Sequence, residues 1–391
     1  MRVLVLNSGS STIKFGLFEL PGETRLAHGV IERIGQEDAC LRYHDAGGER
    51  TEALPAPDHA AGFATLLERL AACGPPDAIG HRVAHGGTRF GAPARITRGV
   101  LEAIREMGDL APLHNPANLA GIEAAMAAAP GVPQAAIFDT AFHQTLPEHA
   151  WRYAVPENWH ARYGVRRYGF HGTSIRYVSG VASRVLERPP DETSLVVLHL
   201  GNGASATAVQ GGRSVDTSMG LSTLEGLVMG TRCGDLDPAV PGYVAAQSGL
   251  DSAEIDRLLH EESGLLALCG ASDMREIEGR AGAGDERAEL ALEVFAHRAR
   301  RHVGALAATL GRCDALVFTG GIGEHQAGMR ARICTGLEVF GLALDGAKNA
   351  APGPLPAAVH AAESRVAALV IATDEELEIA RQANACLADE A

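Results

Sequence analysis

The feature that most narrows what this chain can fold into is a pattern that occurs twice. "VLVLNSGSSTIKFGLFE" begins at Val3 and "VVLHLGNGASATAVQGG" at Val196, about half a chain apart. Each runs apolar, breaks at a cluster of Gly, Ser and Asn, and resumes as a second alternating strand. A strand–turn–strand unit repeated at that distance predicts two structurally related domains. The length agrees, because 391 residues exceeds the roughly 250–300 at which a single core stops growing.

Other short apolar runs end at glycine or small polar residues: "AIGHRVAHGG", "QAAIFDTAF", "ALVFTGGIG" and "VAALVIATDEE". They are too short for ordinary helices and rich in Val, Ile and Leu, as buried strands are. Helical patterns alternate with them: "HAAGFATLLERLAAC", "PANLAGIEAAMAAA", "SIRYVSGVASRVLE", "DSAEIDRLLHEES" and "DERAELALEVFAHRARRHVGALAATL". The fold class is therefore α/β. "HQTLPEHAWRY" interrupts the pattern and marks the linker, and "APGPLPA" near residue 355 reads as a surface loop.

Composition excludes some functions. The net charge of −14 argues against non-specific nucleic-acid binding, which needs a basic footprint. Local arginines still recognise anions against such a background. Seven cysteines, an odd number without a CxxC, read as reduced and mostly buried thiols of a cytosolic protein. Only a handful of apolar residues separate Arg2 from Asn7, short of a signal-peptide core. No apolar run approaches the ~20 residues of a membrane span, so a cytoplasmic location is expected.

The turn Asn7–Ser11 has two readings. Small side chains let backbone N–H groups line an anion site, Gly9 permits a positive φ, and Lys14 adds a point charge. Equally, it is a polar turn in an ordinary hairpin. It matches neither a P-loop nor a GxGxxG fingerprint. "HLGNGAS" (His199, Gly201, Asn202, Gly203) is a second permissive turn. "FTGGIGEHQAGMRARI" is a third, leading into a helix whose N-terminus favours a phosphate or a polar nucleotide group. Three such loops at strand ends predict one nucleotide gripped between two domains.

Polar residues set in apolar surroundings complete the picture: His81, Arg82 and His85, then His114, Asp139, His171 and Arg232. His81 and His85 flank no glutamate and lie in extended sequence, unlike a zinc helix. Taken singly, each is also an ordinary structural group. Together, two arginines, several histidines, one aspartate and phosphate loops suit phosphoryl transfer to or from an acid. That reaction is accelerated mainly by positioning and electrostatics. Arginine forks grip carboxylate or phosphoryl oxygens bidentately. Magnesium is expected, with Glu375 of "IATDEELEIA" as a candidate ligand; the same acidic run also serves simply to stabilise a helix N-terminus.

The ordered set "VLVLNSGSSTIKF", "HRVAHGG", "LAPLHNP", "FDTAFHQTLP", "RYGFHGTS", "HLGNGAS", "DTSMGLSTLEGLVMGTRCGDLDP", "FTGGIGE" and "TDEELEIA" resembles the acetokinase family of the actin/hexokinase superfamily over nearly the whole chain. The resemblance implies two duplicated ribonuclease H-like (actin-like ATPase) domains with the site in the cleft between them. The first would span 1–145 plus a C-terminal helix at about 376–391, and the second, nucleotide-binding, 146–375. It implies Mg2+-dependent in-line transfer between ATP and acetate, giving ADP and acetyl phosphate, with Mn2+ as a substitute metal, in a cytoplasmic homodimer.

The resemblance also implies roles. Asn7 and Glu375 position magnesium, and Lys14 assists the ATP phosphates. Arg82 holds the substrate, with Arg232 opposite. Asp139 is the catalytic carboxylate, either activating the acid or acting through arginine and metal. His171 bonds the transferring phosphoryl group. His199, Leu200, Gly201, Asn202 and Gly203 follow the phosphates. Asp273, Met274 and Arg275, with Gly321, Ile322, Gly323, Glu324 and His325, surround the adenosine. Ala84, Leu113, Phe170 and Thr223 wall the acyl group.

Some positions depart from the common family pattern: Ile175 for a frequent histidine, Asp374 for asparagine, and His325-Gln326 for Asn-Ser. Ala84 stands where valine is common, and Thr223 where proline is. One methylene is worth about 1–3 kcal/mol of discrimination, so Ala84 opens propionate as an alternative acid. A different class, an ATP-driven binding switch of the actin or chaperone kind, would not need Arg82, Asp139, His171 and Arg232 in these settings.

Overall fold

The computed structural model describes residues 1–388 apart from Pro55 and Leu113. The chain divides into two compact units, Met1–Gln144 with the segment from Asp374 onward, and Thr145–Thr373.

In the first unit, β1 (Arg2–Ser8), β2 (Ile13–Glu19), β3 (Thr24–Glu32), β4 (Cys40–Asp45) and β5 (Gly48–Ala53) form an antiparallel meander. α1 (His59–Leu70) then leads to β6 (Ala78–Val83), which joins β1 in parallel. After β7 (Ala94–Arg95), α2 (Arg98–Glu106) and α3 (Asn115–Ala128), β8 (Gln134–Phe138) joins β6 in parallel, giving the order β5-β4-β3-β2-β1-β6-β8-β7. Val3 to Leu6 are all buried, because both faces of a central strand are covered. One core gathers Leu4, Leu6, Phe15, Phe63 and Leu66. Another gathers Val83, Ile104, Ile122 and Phe138. α1 starts where the Asp58 carboxylate accepts from the Ala61 N–H, an ordinary N-cap.

The second unit opens with α4 (Glu148–Trp151), α5 (Glu157–Tyr163) and α6 (Gly172–Val185), followed by β9 (Ser194–Leu200), β10 (Ala204–Gln210) and β11 (Arg213–Thr217). α7 (Ala239–Ser248), α8 (Ser252–Glu261), α9 (Gly264–Cys269), α10 (Met274–Gly282) and the 25-residue α11 (Glu286–Leu310) precede β12 (Ala315–Thr319). α12 (Gly320–His325), α13 (Ala327–Cys334), α14 (Gly346–Ala350), β13 (Ala357–Ala358) and β14 (Ala367–Val370) complete it. Its sheet runs β11-β10-β9-β12-β14-β13.

The two sheets repeat one plan. An antiparallel set leads to a central strand, β1 or β9. Parallel strands follow on its other side, β6 and β8 or β12 and β14, and a two-residue antiparallel strand closes the edge. This is the duplication that the repeat predicts, in the ribonuclease H-like form that the family resemblance implies. The last helix, α15 (Glu375–Ala388), packs across β1, β2, β6 and β8 of the first unit. It approaches so closely that a Cβ on Gly80 would lie 3.0 Å from Ala383 Cβ.

All seven cysteines are free; Cys269 and Cys334 are buried and the other five only half-buried, fewer than the sequence predicts. Among the described residues no helix is long and apolar enough to cross a membrane.

Candidate active site

In the first unit the predicted polar residues converge where β1, β6 and β8 end. β1 and β2 pair so that Asn7 lies opposite Lys14, and the turn between them is a true hairpin. Gly9 does not take the left-handed φ expected of it. A Cβ there would fall 2.8 Å from Thr12 Oγ1, and the Gly9 N–H donates to the Thr12 carbonyl at 2.8 Å.

Arg82 is the hub. Nη1 donates to Asn7 Oδ1 at 3.3 Å, and Nη2 donates to Asp139 Oδ2 in a buried ion pair. Nε stands 4.0 Å from Glu375 Oε2 and has no hydrogen-bond partner among the described residues. Burial opposes the arginine's charge, but the Asp139 and Glu375 carboxylates outweigh it and hold the guanidinium pKa up. Asp139 is 1% exposed, follows β8 directly, and its N–H donates to the Val83 carbonyl. Glu375 opens α15. Burial, then the Asp139 charge, pushes its pKa up against the pull of Arg82 and Lys14. For its neighbour Glu376, burial pushes the carboxyl up to about 7.

His81 and His85 turn inward. Both are buried and held neutral by burial, with pKa values near 4. His81 Nε2 hydrogen-bonds Gln134 Oε1 at 2.7 Å. No cluster of three or more His, Cys, Asp or Glu side chains suited to a metal occurs among the described residues. Ala84 is buried behind the same strand end. Leu113, its predicted companion in the acyl wall, lies outside the described residues.

In the second unit His171 caps α6 with a left-handed backbone, φ 59°. Its Nδ1 hydrogen-bonds Ser205 Oγ at 3.0 Å. His199, at the end of β9, pairs through Nδ1 with Ser174 Oγ at 2.8 Å. Arg232 lies alongside, with Nη1 within 3.5 Å of the Thr223 carbonyl. A Cβ on Gly203 would sit 3.3 Å from Arg232 Nη1 and 3.6 Å from His171 Nε2. The glycine turn, the histidine and the arginine therefore share one spot. Phe170 is buried in the main core of this unit, and Thr223 is half-buried.

A cavity of about 420 Å3 in the second unit is lined by Gly201, Asn202, Asp273, Met274 and Arg275, with Gly321, Ile322 and His325. Eight of the predicted nucleotide residues thus meet in one place. Leu200 is instead a core side chain at 0% exposure, so only its backbone can serve a ligand. Gly323 is buried against Phe318. Glu324 turns away from the nucleotide role. Its Oε1 accepts from the Gly320 N–H at 2.9 Å and the Thr373 N–H at 3.2 Å. The helix N-terminus expected to face a phosphate is therefore partly satisfied by the chain's own carboxylate, and α12 starts at Gly320 with no separate glycine loop.

Four supporting residues escaped the sequence reading: Asn115, Asn118, Ser174 and Ser205. The two asparagines follow His114 in "LHNPAN" and sit three residues apart, hence on one helix face. That spacing of polar residues before an apolar helix was the available signal.

The acetokinase family model matches residues 2–381. The acetate kinase of Streptomyces griseus subsp. griseus is 50% identical, over 99% of this chain and 97% of its own length. A solved acetate kinase from Porphyromonas gingivalis superposes with a TM-score of 0.94 at 41% identity, covering 99% of both chains. A structure described as a propionate kinase from Francisella tularensis gives 0.93 at 40% identity, covering 98% of this chain and 99% of the other.

Proposed function

This chain belongs to the acetokinase family, and we propose that it catalyses reversible phosphoryl transfer from ATP to acetate, giving acetyl phosphate and ADP. The observation that carries this reading is the Arg82 guanidinium, fixed by Asn7 and Asp139 while its buried Nε–H has no hydrogen-bond partner among the described residues. A planar fork held on two sides with donors to spare suits a carboxylate.

Arg82 holds the acid. Asp139 works through it as a positioning residue, because its carboxylate is engaged with Nη2. Gly201 and Asn202 follow the ATP phosphates, Lys14 assists them, and Asp273 to Arg275 with Gly321, Ile322 and His325 hold the adenosine end. An oxygen of the acid attacks the γ-phosphorus in line. The new O–P bond forms as the bond from phosphorus to the β–γ bridging oxygen breaks, and that oxygen leaves with its electron pair on ADP. His171 and Arg232 stabilise charge on the equatorial oxygens, the interaction that matters most in such a transition state.

Magnesium fits the donor set. Asn7 Oδ1 and the Glu375 carboxylate are hard oxygen ligands, and magnesium takes only one or two carboxylates beside phosphate and water. Manganese suits the same oxygens. When bound, the ion would neutralise charge on the nucleotide phosphates. We also read the enzyme as cytoplasmic and homodimeric, as the family resemblance implies.

A second reading, propionate as the preferred acid, is favoured by one observation: buried Ala84 is smaller than the valine common at that position. Initial rates with ATP and magnesium against acetate, propionate and butyrate test both. Highest kcat/KM for acetate supports the first reading and highest for propionate the second. No stimulation of ATP turnover by any acid overturns both.

A further inference from the structure

At the two strand ends that carry the acid and metal residues of the first unit the backbone ladder stops, and the direct link between them is the side-chain bond from Arg82 Nη1 to Asn7 Oδ1. Register pairs β1 with β6 only from Val3–Ala78 to Leu6–His81. Beyond it, Asn7 and Ser8 on one strand and Arg82 to Ala84 on the other continue without a shared ladder. Asn118 ties the two backbones across that gap. Asn118 Nδ2 donates to the Ser8 carbonyl at 2.7 Å, and Asn118 Oδ1 accepts from the Ala84 N–H at 3.0 Å. Asn118 is 4% exposed, so neither bond is replaced by bulk water if lost.

The same helix, α3, presses on the turn one residue row later. A Cβ on Gly121 would fall 2.2 Å from Ser8 Oγ and 2.4 Å from Ser8 Cβ. Asn115, three residues before Asn118, makes a comparable pair of bonds, but only to the His85 backbone: Oδ1 accepts from its N–H and Nδ2 donates to its carbonyl, both at 3.1 Å. Those bonds reach the segment just after β6 and not the β1 end. α3 thus holds the strand ends with two amides of different reach.

We propose that Asn118 is a positioning residue that sets the distance between Asn7 and Arg82 by tying the Ser8 carbonyl to the Ala84 N–H, and so couples metal affinity to acid binding. This rests on the assignment of Asn7 to the metal and Arg82 to the acid. Loss of such an orienting partner typically costs about 10–100-fold in metal affinity or activity.

The test compares Asn118→Ala, Asn118→Asp, Gly121→Ala and Asn115→Ala in the full chain. Magnesium half-saturation, acid KM and kcat are measured well below each Tm, and hydrogen exchange at the Ala84 N–H is followed without substrates. Asn118→Ala should accelerate that exchange, raise the magnesium half-saturation about tenfold and lower kcat by 10–100-fold. Asn118→Asp keeps an acceptor for Ala84 but sets a carboxylate oxygen against the Ser8 carbonyl. It should raise the magnesium requirement while leaving acid KM within about twofold. Gly121→Ala, which pushes Ser8 without touching the amide, should reproduce the magnesium effect. Asn115→Ala should change acid KM and not magnesium. Lower Tm alone, with magnesium half-saturation unmoved in all three of Asn118→Ala, Asn118→Asp and Gly121→Ala, overturns the proposal. Faster exchange in Asn118→Ala without acid-dependent turnover in the parent would instead overturn the assignment of Asn7 and Arg82, while leaving the tie itself in place.

Discussion

The imidazole of His171 stacks on that of His199, with ring centroids 4.2 Å apart and planes 27° from parallel. Each ring is pinned by a serine, Ser205 for His171 and Ser174 for His199. Ser174 is itself tied to Thr373 Oγ1 at 2.8 Å. The stack presents one imidazole edge beside Gly203 and Arg232, where a transferring phosphoryl group would need donors. His171→Asn keeps a residue tolerant of the left-handed backbone and removes the ring. It should lower kcat by about 100- to 1,000-fold, the usual cost of one transition-state donor. KM for ATP and the Tm should stay near the parent values; steady-state kinetics with calorimetry checks both. A KM effect without a kcat effect would make the ring a ground-state binder.

Arg82 and Asp139 should behave as one unit. Arg82→Lys loses the planar fork, and Asp139→Asn loses the carboxylate that orients it. Hydrogen bonds to charged groups are worth about 1.5–3 kcal/mol, so each change should lower kcat/KM for the acid by roughly 10- to 150-fold. The double variant should lose much less than the product, as expected of residues in direct contact. Multiplicative losses in the cycle would separate the two roles.

Two buried histidines make folding acid-sensitive. His81 and His85 are held near pKa 4, below the ordinary 6.5, because burial disfavours the imidazolium. A lowered native pKa means the unfolded chain binds more protons, so stability is complete above about pH 6.5 and falls as pH drops toward 4. Each histidine adds a slope of up to about 1.4 kcal/mol per pH unit within that window. Denaturant melts at pH 7, 6 and 5 should show the decline, and His81→Gln should reduce the slope by about one proton. An unchanged slope would mean that His81 titrates normally in the native state.

Ala84 sets acyl length under the proposed reading. Ala84→Val adds two methyl carbons beside the acid without altering the backbone N–H held by Asn118. The ratio of kcat/KM for propionate over acetate should fall at least about tenfold, the lower end for a methylene-sized change in an apolar pocket. A core cost of about 1–3 kcal/mol from overpacking is expected alongside. Equal ratios in parent and variant would remove Ala84 from the acyl wall.

Much of this molecule was determined by sequence alone. The repeated strand–turn–strand pattern predicted the duplicated sheets, because a buried central strand must be apolar along its whole length and must stop at small polar residues. Arg82, Asp139, His171, Arg232 and the glycine turns were legible for a related reason: polar groups inside apolar runs are costly and so stand out. The meander from Thr24 to Ala53 was missed, since β4 and β5 carry exposed charged side chains and lack a continuous apolar signal. What only the tertiary structure decided is which partner each polar group takes. Gly9 closes the hairpin without a left-handed φ, Glu324 turned to the backbone, and Asn118 bridged two strand ends. Such choices depend on distances between segments far apart in the chain, where hydrogen-bond geometry is strict to a few tenths of an ångström and local pattern carries no record of it.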